Sequence, residues 1–194
     1  MLLRRLSRMS TIRGTAVFFI RWLAAPLHIG SVVPSSQYLA RAIANQIDLH
    51  SSQPVIELGG GTGSVTHALL QTGMNPSRLI VVENDIYLCA LLRRRFPRLC
   101  IVQGDASQLM QLLKPLGISA AASVVSSLPL LTLPKYTRDR IIRQSLQLLG
   151  EKGRFVQYTY GLGSPLADFD LCGRVAARIW RNFPPASVWN FQEQ

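Results

Sequence analysis

The stretch 55-VIELGGGTGSVTHALL-70 contains the densest group of glycines in the 194-residue chain. Its apolar start predicts a strand, the glycines predict a tight loop, and the residues that follow predict a helix. Gly59, Gly61 and Gly63 form a G-x-G-x-G pattern, and Ser64 stands where a dinucleotide-binding G-x-G-x-x-G fingerprint has its third glycine. The loop is one residue tighter than the dinucleotide form, so its ligand has to be inferred from the residues around it.

Strand-like and helix-like segments alternate on both sides of this loop. Short apolar runs predict strands at Val55–Leu58, Leu79–Val82, Cys100–Gln103, Ala121–Ser126 and Arg154–Tyr158. Helices are predicted at Gln37–Ile47, Ser64–Thr72, Ile86–Phe96, Ser107–Lys114 and Lys135–Leu149. This alternation predicts an α/β fold of the Rossmann-like kind, with a mostly parallel sheet covered on both faces.

The C-terminal tail has a different pattern. Val175, Ala177 and Ile179 alternate with more polar or bulky residues, and a second apolar segment follows Pro184 and Pro185. This pattern favours an antiparallel hairpin at the sheet edge over a helix, which brings the sheet to seven strands. No composition shift marks a second globular domain, so we expect residues 26–194 to form one domain.

Three carboxylates lie near the ends of successive predicted strands: Glu57, Glu83 and Asp105. Ligands of doubly wound sheets lie at this edge. A carboxylate at Glu57 suits a positively charged amino-acid group, Glu83 suits ribose hydroxyls, and Asp105 suits the adenine amino group. With the G-x-G-x-G loop, the set predicts S-adenosylmethionine as the cofactor. The other positions expected to contribute to cofactor binding are Asn84, Gly104, Ala106 and Ser126.

The composition is strongly basic. There are 21 Lys and Arg against 10 Asp and Glu, for a net charge of +11, and 48% of the residues are apolar. Such a surface favours a polyanionic partner, either nucleic acid or an anionic membrane. Neither the three cysteines nor the three histidines show metal-ligand spacing, so we expect free thiols and no metal site.

The N-terminal segment, residues 1–25, is predicted to be an amphipathic helix. Its apolar and basic residues fall on opposite sides when they are placed at about 100° per residue, which is typical of a helix lying in a membrane interface. The residues expected to contact lipid are Arg4, Arg5, Arg8, Phe18, Phe19 and Trp22. A helix packed on the domain and an arginine-rich organelle presequence are the alternatives.

A signal peptide and a transmembrane span are both poorly supported in this segment. Its longest apolar stretch, residues 14–20, ends at Arg21 and is followed by no convincing cleavage site. A spanning helix needs roughly 20 apolar residues. We therefore expect a cytoplasmic protein, peripheral on the cytoplasmic face of the inner membrane.

With these motifs the chain resembles the Rossmann-like S-adenosylmethionine-dependent methyltransferases. Within them it looks most like the small bacterial phospholipid N-methyltransferases, which methylate phosphatidylethanolamine toward phosphatidylcholine. The resemblance covers nearly the whole chain, and its more specific pieces are "SSLPLL", "QYTYG" followed by "SP", and "NFPPASVW". It implies that the partners are an anionic membrane and its phospholipid rather than nucleic acid.

By position, the resemblance assigns the methionine part of the cofactor to Glu57 and the three loop glycines. It implies that the stretch at the end of the fourth strand borders the substrate amine to be methylated. This stretch comprises Ser126, Ser127, Leu128 and Pro129. Gly60 departs from the proline that such loops often carry, and we expect this to loosen the loop without abolishing cofactor binding.

The residues proposed for chemistry follow from the needs of methyl transfer, which requires an unprotonated amine aligned behind the methyl group. Tyr158, Tyr160 and Ser126 could shape the amine pocket, the tyrosines by cation–π contact or proton relay, although packing would also explain these aromatics. Ser35 and Ser36 could bind a lipid phosphate, or one of them could simply cap the helix that follows.

Other functions remain open on the sequence. Ribosomal RNA adenine dimethyltransferases are also basic, but they carry an N-[IL]-P-[YF] motif after the fourth strand, where this chain has "SSLPLL". A lipid with a different amine, such as ornithine lipid, is a second alternative. A membrane- or cofactor-binding protein without catalysis is a third.

Overall fold

A computed structural model describes residues 34–160, 164–166, 169, 171–180 and 185–192, without the side chains of residues 34–36, 151–152 and 160. The described helices are α1 (Pro34–Ala44), α2 (Ser64–Gln71), α3 (Ile86–Arg95), α4 (Leu109–Leu113) and α5 (Lys135–Leu148). The strands are β1 (Val55–Leu58), β2 (Leu79–Glu83), β3 (Cys100–Gln103), β4 (Ala121–Ser126), β5 (Leu149–Tyr160), β6 (Cys172–Ile179) and β7 (Ala186–Gln192).

The strands form one seven-stranded sheet in the order β3-β2-β1-β4-β5-β7-β6. Strands β1 to β5 pair in parallel, and β7 pairs antiparallel with both β5 and β6. Since β6 is antiparallel to β7, it runs in the same direction as β5. The predicted mixed α/β architecture and its C-terminal hairpin are confirmed.

Helices cover both faces of the sheet, and each face has its own apolar cluster. Leu39 of α1, Leu69 of α2 and Leu92 of α3 are buried on one face. Leu113 of α4 and Ile141 of α5 are buried on the other face. Because helices cover both faces, the side chains of the central strands are mostly apolar on both sides. A polar residue in one of these strands is therefore a candidate for a functional role.

The first helix begins three residues earlier than predicted. α1 starts at Pro34, which puts Ser35 and Ser36 inside the first turn, and it ends at Ala44. Proline suits this position because the first helical N–H has no intrahelical partner. The prediction that a serine caps the helix was therefore wrong.

Two other elements differ from their predicted bounds. β5 is longer than predicted because Leu149 already pairs with Ala121, with an irregularity before Arg154. The helix expected at Ser107–Lys114 is shorter and lies between two 3-10 turns, Ala106–Gln108 and Lys114–Leu116. Pro115 in the second turn cannot donate the backbone hydrogen bond that an α-helix needs.

The predicted N-terminal amphipathic helix, residues 1–25, lies outside the described residues. So do the side chains expected to contact lipid, Arg4, Arg5, Arg8, Phe18, Phe19 and Trp22. In the described part of the chain, no helix has the length and apolar character needed to cross a bilayer.

Candidate active site at the carboxyl edge of the sheet

The glycine loop joins β1 to α2 at the carboxyl edge of the parallel strands. Gly59, Gly61 and Gly63 have φ angles of 77°, 54° and 86°, in the left-handed region that favours glycine. A Cβ at Gly61 would have no atom within 4 Å, which leaves its backbone open to a ligand. The side chain of Arg95 supports the loop from α3, since its Nη1 donates a hydrogen bond to the Thr62 carbonyl at 2.8 Å.

Gly60 is packed rather than loose. A Cβ there would lie 2.4 Å from Cγ1 of Val81 and 2.8 Å from Cδ1 of Leu92. These two side chains fill the space beside the backbone, and Gly60 accepts a 2.8 Å turn hydrogen bond from the Gly63 N–H. The expectation that Gly60 loosens the loop was wrong, because side-chain packing holds this position.

Glu57 is fully buried on β1, beneath the glycine loop. Its Oε2 accepts a 2.7 Å hydrogen bond from the Thr66 hydroxyl of α2, and its Oε1 has no partner among the described residues. Desolvation by burial raises the pKa of Glu57 to about 8, the Thr66 bonds oppose this rise, and the charge of Glu83 adds to it. A buried carboxylate oxygen without a partner suits a cationic ligand group.

Glu83, the last residue of β2, links the glycine loop to the neighbouring strand. Its Oε2 accepts from the Gly61 N–H at 2.8 Å, and its Oε1 accepts from the Asp85 N–H at 2.9 Å. Both oxygens are thereby fixed in place, and each retains a second lone pair. The carboxylate can accept further hydrogen bonds, and its role toward the ribose hydroxyls stays a prediction.

Asp105 follows β3 and remains exposed. Its Oδ1 accepts from the Ser107 N–H at 2.8 Å, so it also begins the 3-10 turn that contains Ala106. Gly104 is tied to β2, because its N–H donates to the Glu83 carbonyl at 3.0 Å. Asn84, at the end of β2, is exposed.

The loop after β4 approaches the glycine loop directly. Ser127 N–H donates to the Leu58 carbonyl at 2.9 Å, and a Cβ at Gly59 would lie 2.8 Å from Leu128 Cδ2. Ser126 is fully buried, and its hydroxyl accepts from the Leu128 N–H at 3.4 Å. The absence of a side chain at Gly59 lets the two loops meet, so the structure brings the predicted cofactor and amine residues together.

Gln157 is a candidate residue that the sequence prediction missed. It lies opposite Ser126 in the pairing of β4 with β5 and is buried. Its Nε2 donates to the carbonyls of Leu128 at 3.1 Å and Tyr158 at 2.8 Å, which fixes the orientation of the amide. The sequence signal was a polar residue inside an apolar strand.

Two buried polar atoms near this loop lack a partner among the described residues: Ser127 Oγ and Gln157 Oε1. Buried polar groups in proteins are normally hydrogen-bonded, so such a pair indicates a ligand or bound water. Both atoms can accept a hydrogen bond from an N–H group.

The remaining predicted residues are less directly placed. Tyr158 is half-buried on the face of the sheet that α1 covers. Because successive residues of a strand point to opposite faces, Gln157 and its partner Ser126 belong to the other face. The side chains of Tyr160, Ser35 and Ser36 lie outside the described residues. The roles of these residues stay predictions.

The residues present fit S-adenosylmethionine. An open left-handed glycine faces the ligand side, a buried carboxylate has an unpaired oxygen, and a second oriented carboxylate follows on the adjacent strand. Glu57 and the glycine loop would hold the amino-acid end, Glu83 the ribose and Asp105 the adenine. When bound, the cofactor supplies a methyl group on a cationic sulfur, and the chain's own part is to orient the acceptor and exclude water.

Comparison with known proteins agrees with this geometry. Residues 31–130 match the family described as Ribosomal RNA adenine dimethylase. The chain is 37% identical over 134 residues to the ornithine lipid N-methyltransferase of Singulisphaera acidiphila, which covers 68% of the chain and 70% of that relative. It is 31% identical over 102 residues to ribosomal RNA small subunit methyltransferase A of Thermotoga petrophila, covering 53% of the chain and 37% of that enzyme.

A solved structure shows the same fold. Magnesium protoporphyrin IX methyltransferase from Synechocystis PCC 6803, with bound SAM, aligns with a TM-score of 0.64 at 13% identity, covering 91% of each chain. The likeness covers most of the chain and supports the Rossmann-like methyltransferase architecture. The chain therefore belongs to the ribosomal RNA adenine dimethylase family of class I methyltransferases and is an S-adenosylmethionine-dependent N-methyltransferase.

Proposed function

We propose that the chain methylates the amine of a membrane-lipid head group. The observation that carries this proposal is the loop after β4, where ribosomal RNA adenine dimethyltransferases have an amide residue and an aromatic. Ser127 stands at the amide position, and Leu130, at the aromatic position, is only 1% exposed. A buried leucine cannot stack on a flipped base.

Ser127 and Gln157 support an amine as the acceptor. Their oxygens Oγ and Oε1 have no partner in the part of the chain that the structure describes; both are buried beside the same loop and can accept N–H hydrogen bonds. Uncharged acceptors would hold a neutral amine without stabilising its protonated form as strongly as a carboxylate would. The amine must be neutral for its lone pair to attack the methyl group.

Two lipid amines fit the proposal. The 37% identity to an ornithine lipid N-methyltransferase favours the amine of ornithine lipid. Phosphatidylethanolamine, which the sequence motifs predicted, offers the same reacting group on a different head group. The proposal carries with it a peripheral location on the cytoplasmic face of the membrane.

Ribosomal RNA is the second candidate substrate, because the family match and several relatives concern enzymes of that kind. The chain spans only about a third of the length of those relatives, with 37% and 33% of two of them covered. Its activity on RNA is therefore less supported than its activity on lipid.

The test is a methylation assay with labelled cofactor and separate acceptors. Ornithine lipid vesicles, phosphatidylethanolamine vesicles and small-subunit ribosomal RNA are each offered to the full chain. Label in either lipid, with products resolved by methyl count, supports the proposal and identifies the head group. Label in RNA alone would overturn it.

A further inference from the structure

Three large exposed apolar side chains lie at the carboxyl edge on its β4-to-β6 side, whereas two others, Ile86 and Tyr87, begin α3 on the far side of the glycine loop. Leu131 is 57% exposed, Tyr136 is 72% exposed and Trp180 is 66% exposed. They belong to three separate segments: the turn after β4, the first turn of α5 and the residue after β6. Single exposed apolar residues are common on proteins, but a group at one edge needs an explanation.

The sheet topology places these three residues at the edge that carries the glycine loop. β4 ends just before Leu131, and α5 starts from the same edge at Lys135. β6 runs parallel to β5, so Trp180 lies at the carboxyl edge as well. Three steps of the strand order separate β4 from β6, which corresponds to about 15 Å.

The charge around these side chains is positive. The guanidinium carbon of Arg140 lies 5.6 Å from the centre of the Tyr136 ring, and Arg178 is exposed on β6. The carboxylate of Asp139 is already bound by Lys135 at 2.6 Å and by Arg138 at 3.4 Å. On the β4-to-β6 side of the edge, the described cations therefore outnumber the acids, whereas Glu83, Asp85 and Asp105 lie on its β2-to-β3 side.

We propose that Leu131, Tyr136, Trp180, Arg140 and Arg178 form a docking edge that lies on an anionic lipid bilayer. This inference rests on the proposed lipid substrate, because a head group can reach the methyl donor only if the carboxyl edge of the sheet meets the bilayer. Tyrosine and tryptophan favour the membrane interface, and arginines beside them pair with lipid phosphates.

A bilayer fits this surface better than a protein partner does. The three apolar side chains project from separate segments, so they can insert individually between head groups without a complementary groove. The arginines at the same edge match the negative surface of a membrane.

The opposite edge of the sheet supplies matched controls. Leu49, before β1, and Leu116, before β4, are 40% and 45% exposed and lie at the amino edge of the parallel strands. Arg98 is exposed two residues before β3 begins, at that same amino edge. Replacing these residues changes the exposed apolar and basic surface without touching the docking edge.

The experiment measures sedimentation with vesicles of equal amounts of phosphatidylethanolamine and phosphatidylglycerol. The full chain is compared with a triple variant, Leu131→Ser, Tyr136→Ser and Trp180→Ser, and with a control variant, Leu49→Ser and Leu116→Ser. We expect the triple variant to bind at least about tenfold more weakly and the control to bind like the parent chain. Arg140→Gln with Arg178→Gln should reduce the salt dependence of binding, and Arg98→Gln should not.

Calorimetry with S-adenosylmethionine checks that the triple variant is folded. Methylation of a short-chain, monomeric lipid amine should continue in that variant, whereas methylation of vesicles should fall in step with vesicle binding. Unchanged vesicle binding by the triple variant would overturn the docking edge. The docking edge would also be overturned if the triple variant lost binding to a structured RNA but kept its binding to vesicles. If the parent chain binds vesicles but methylates no lipid, the proposed substrate fails while the docking measurement still stands on its own.

Discussion

Glu57 is unusual among the acidic residues because it is buried with one carboxylate oxygen unpaired among the described residues. Its pKa, raised from 4.5 to about 8 by burial, means that the folded protein keeps a proton that the unfolded chain has lost across this pH range. The free energy of unfolding of the cofactor-free protein should therefore fall as the pH rises from 4.5 to 8. A cationic ligand group would relieve this cost by pairing with the ionised carboxylate.

We expect S-adenosylmethionine binding at neutral pH to release a proton from Glu57. Affinity should increase as the pH approaches 8, since less work is then needed to ionise the carboxyl group. Isothermal titration calorimetry in buffers of different ionisation enthalpy measures the released proton directly. Glu57→Gln should abolish the release, weaken binding and flatten the pH dependence of stability. A variant that still releases the proton would show that another group titrates.

Gly61 allows a second test, with Gly73 as its control. Both glycines have positive φ, 54° and 85°, and a Cβ at either would meet no atom within 4 Å. Gly61→Ala and Gly73→Ala should each cost about 1 kcal/mol of stability through backbone strain. Only Gly61→Ala should weaken cofactor binding, by about tenfold or more, because its methyl group enters the ligand side of the loop. Equal affinities in the two variants would place the ligand elsewhere.

At the scale of elements, the contact between β5 and the loop after β4 joins the two halves of the sheet at the site. Gln157 makes this contact through the Leu128 carbonyl at 3.1 Å, and Leu128 in turn lies over Gly59. The proposed amine pocket and the predicted cofactor loop therefore meet at one short segment of backbone. A change in this contact should affect the alignment of the acceptor amine more than the affinity for the cofactor.

Gln157→Leu should lower kcat by about tenfold or more and leave the Kd of S-adenosylmethionine nearly unchanged, since the Leu128 carbonyl loses its donor. Steady-state kinetics and calorimetry measure the two quantities separately. Ser123→Ala is the matched control: its hydroxyl is buried on β4 and unpaired among the described residues, so its loss should harm neither activity nor stability. Parallel losses of kcat and cofactor affinity in Gln157→Leu would indicate general damage to the fold.

Element bounds were predictable where a short, mostly apolar run is bounded by turn residues. β1, β3 and β4 have their predicted bounds for this reason. The early start of β5 was not predictable, because Gly150 and Gly153 suggest a turn and only the distant Ala121 provides the pairing. Local sequence carries no information about such a long-range partner.

The same distinction applies to the site. Glu57, Glu83 and Asp105 were predictable because parallel strands bring their carboxyl ends to one edge. Gln157 was not, because its role depends on the register that sets it opposite Ser126. The link from Arg95 to the glycine loop likewise depends on packing between residues 33 positions apart.

At the scale of the whole molecule, we propose two membrane attachments in separate parts of the chain. The predicted N-terminal segment contributes Arg4, Arg5 and Arg8 before any acid occurs in the chain. The proposed docking edge contributes Arg140 and Arg178. Two weak attachments to one surface reinforce each other, since the second forms at a high effective concentration once the first is made.

A variant lacking residues 1–25 tests the first attachment. It should bind anionic vesicles more weakly than the full chain and with a smaller dependence on salt, because its arginines are gone. Its affinity for S-adenosylmethionine should be unchanged, since the cofactor residues begin at Glu57. Sedimentation measures the first quantity and calorimetry the second. Vesicle binding equal to that of the full chain would show that the segment is not an anchor.

The strand order also determines where the accessible thiols lie. Cys100 begins β3 and Cys172 begins β6, so both exposed cysteines are at the amino edge of the sheet, whereas Cys89 is buried. Along β6 the step from Cys172 to Ile179 spans about 23 Å. A maleimide dye would therefore attach on the side turned away from the proposed bilayer contact. Native cysteines can thus serve as distance reporters of membrane orientation by energy transfer to labelled lipid, without any engineered residue near the site.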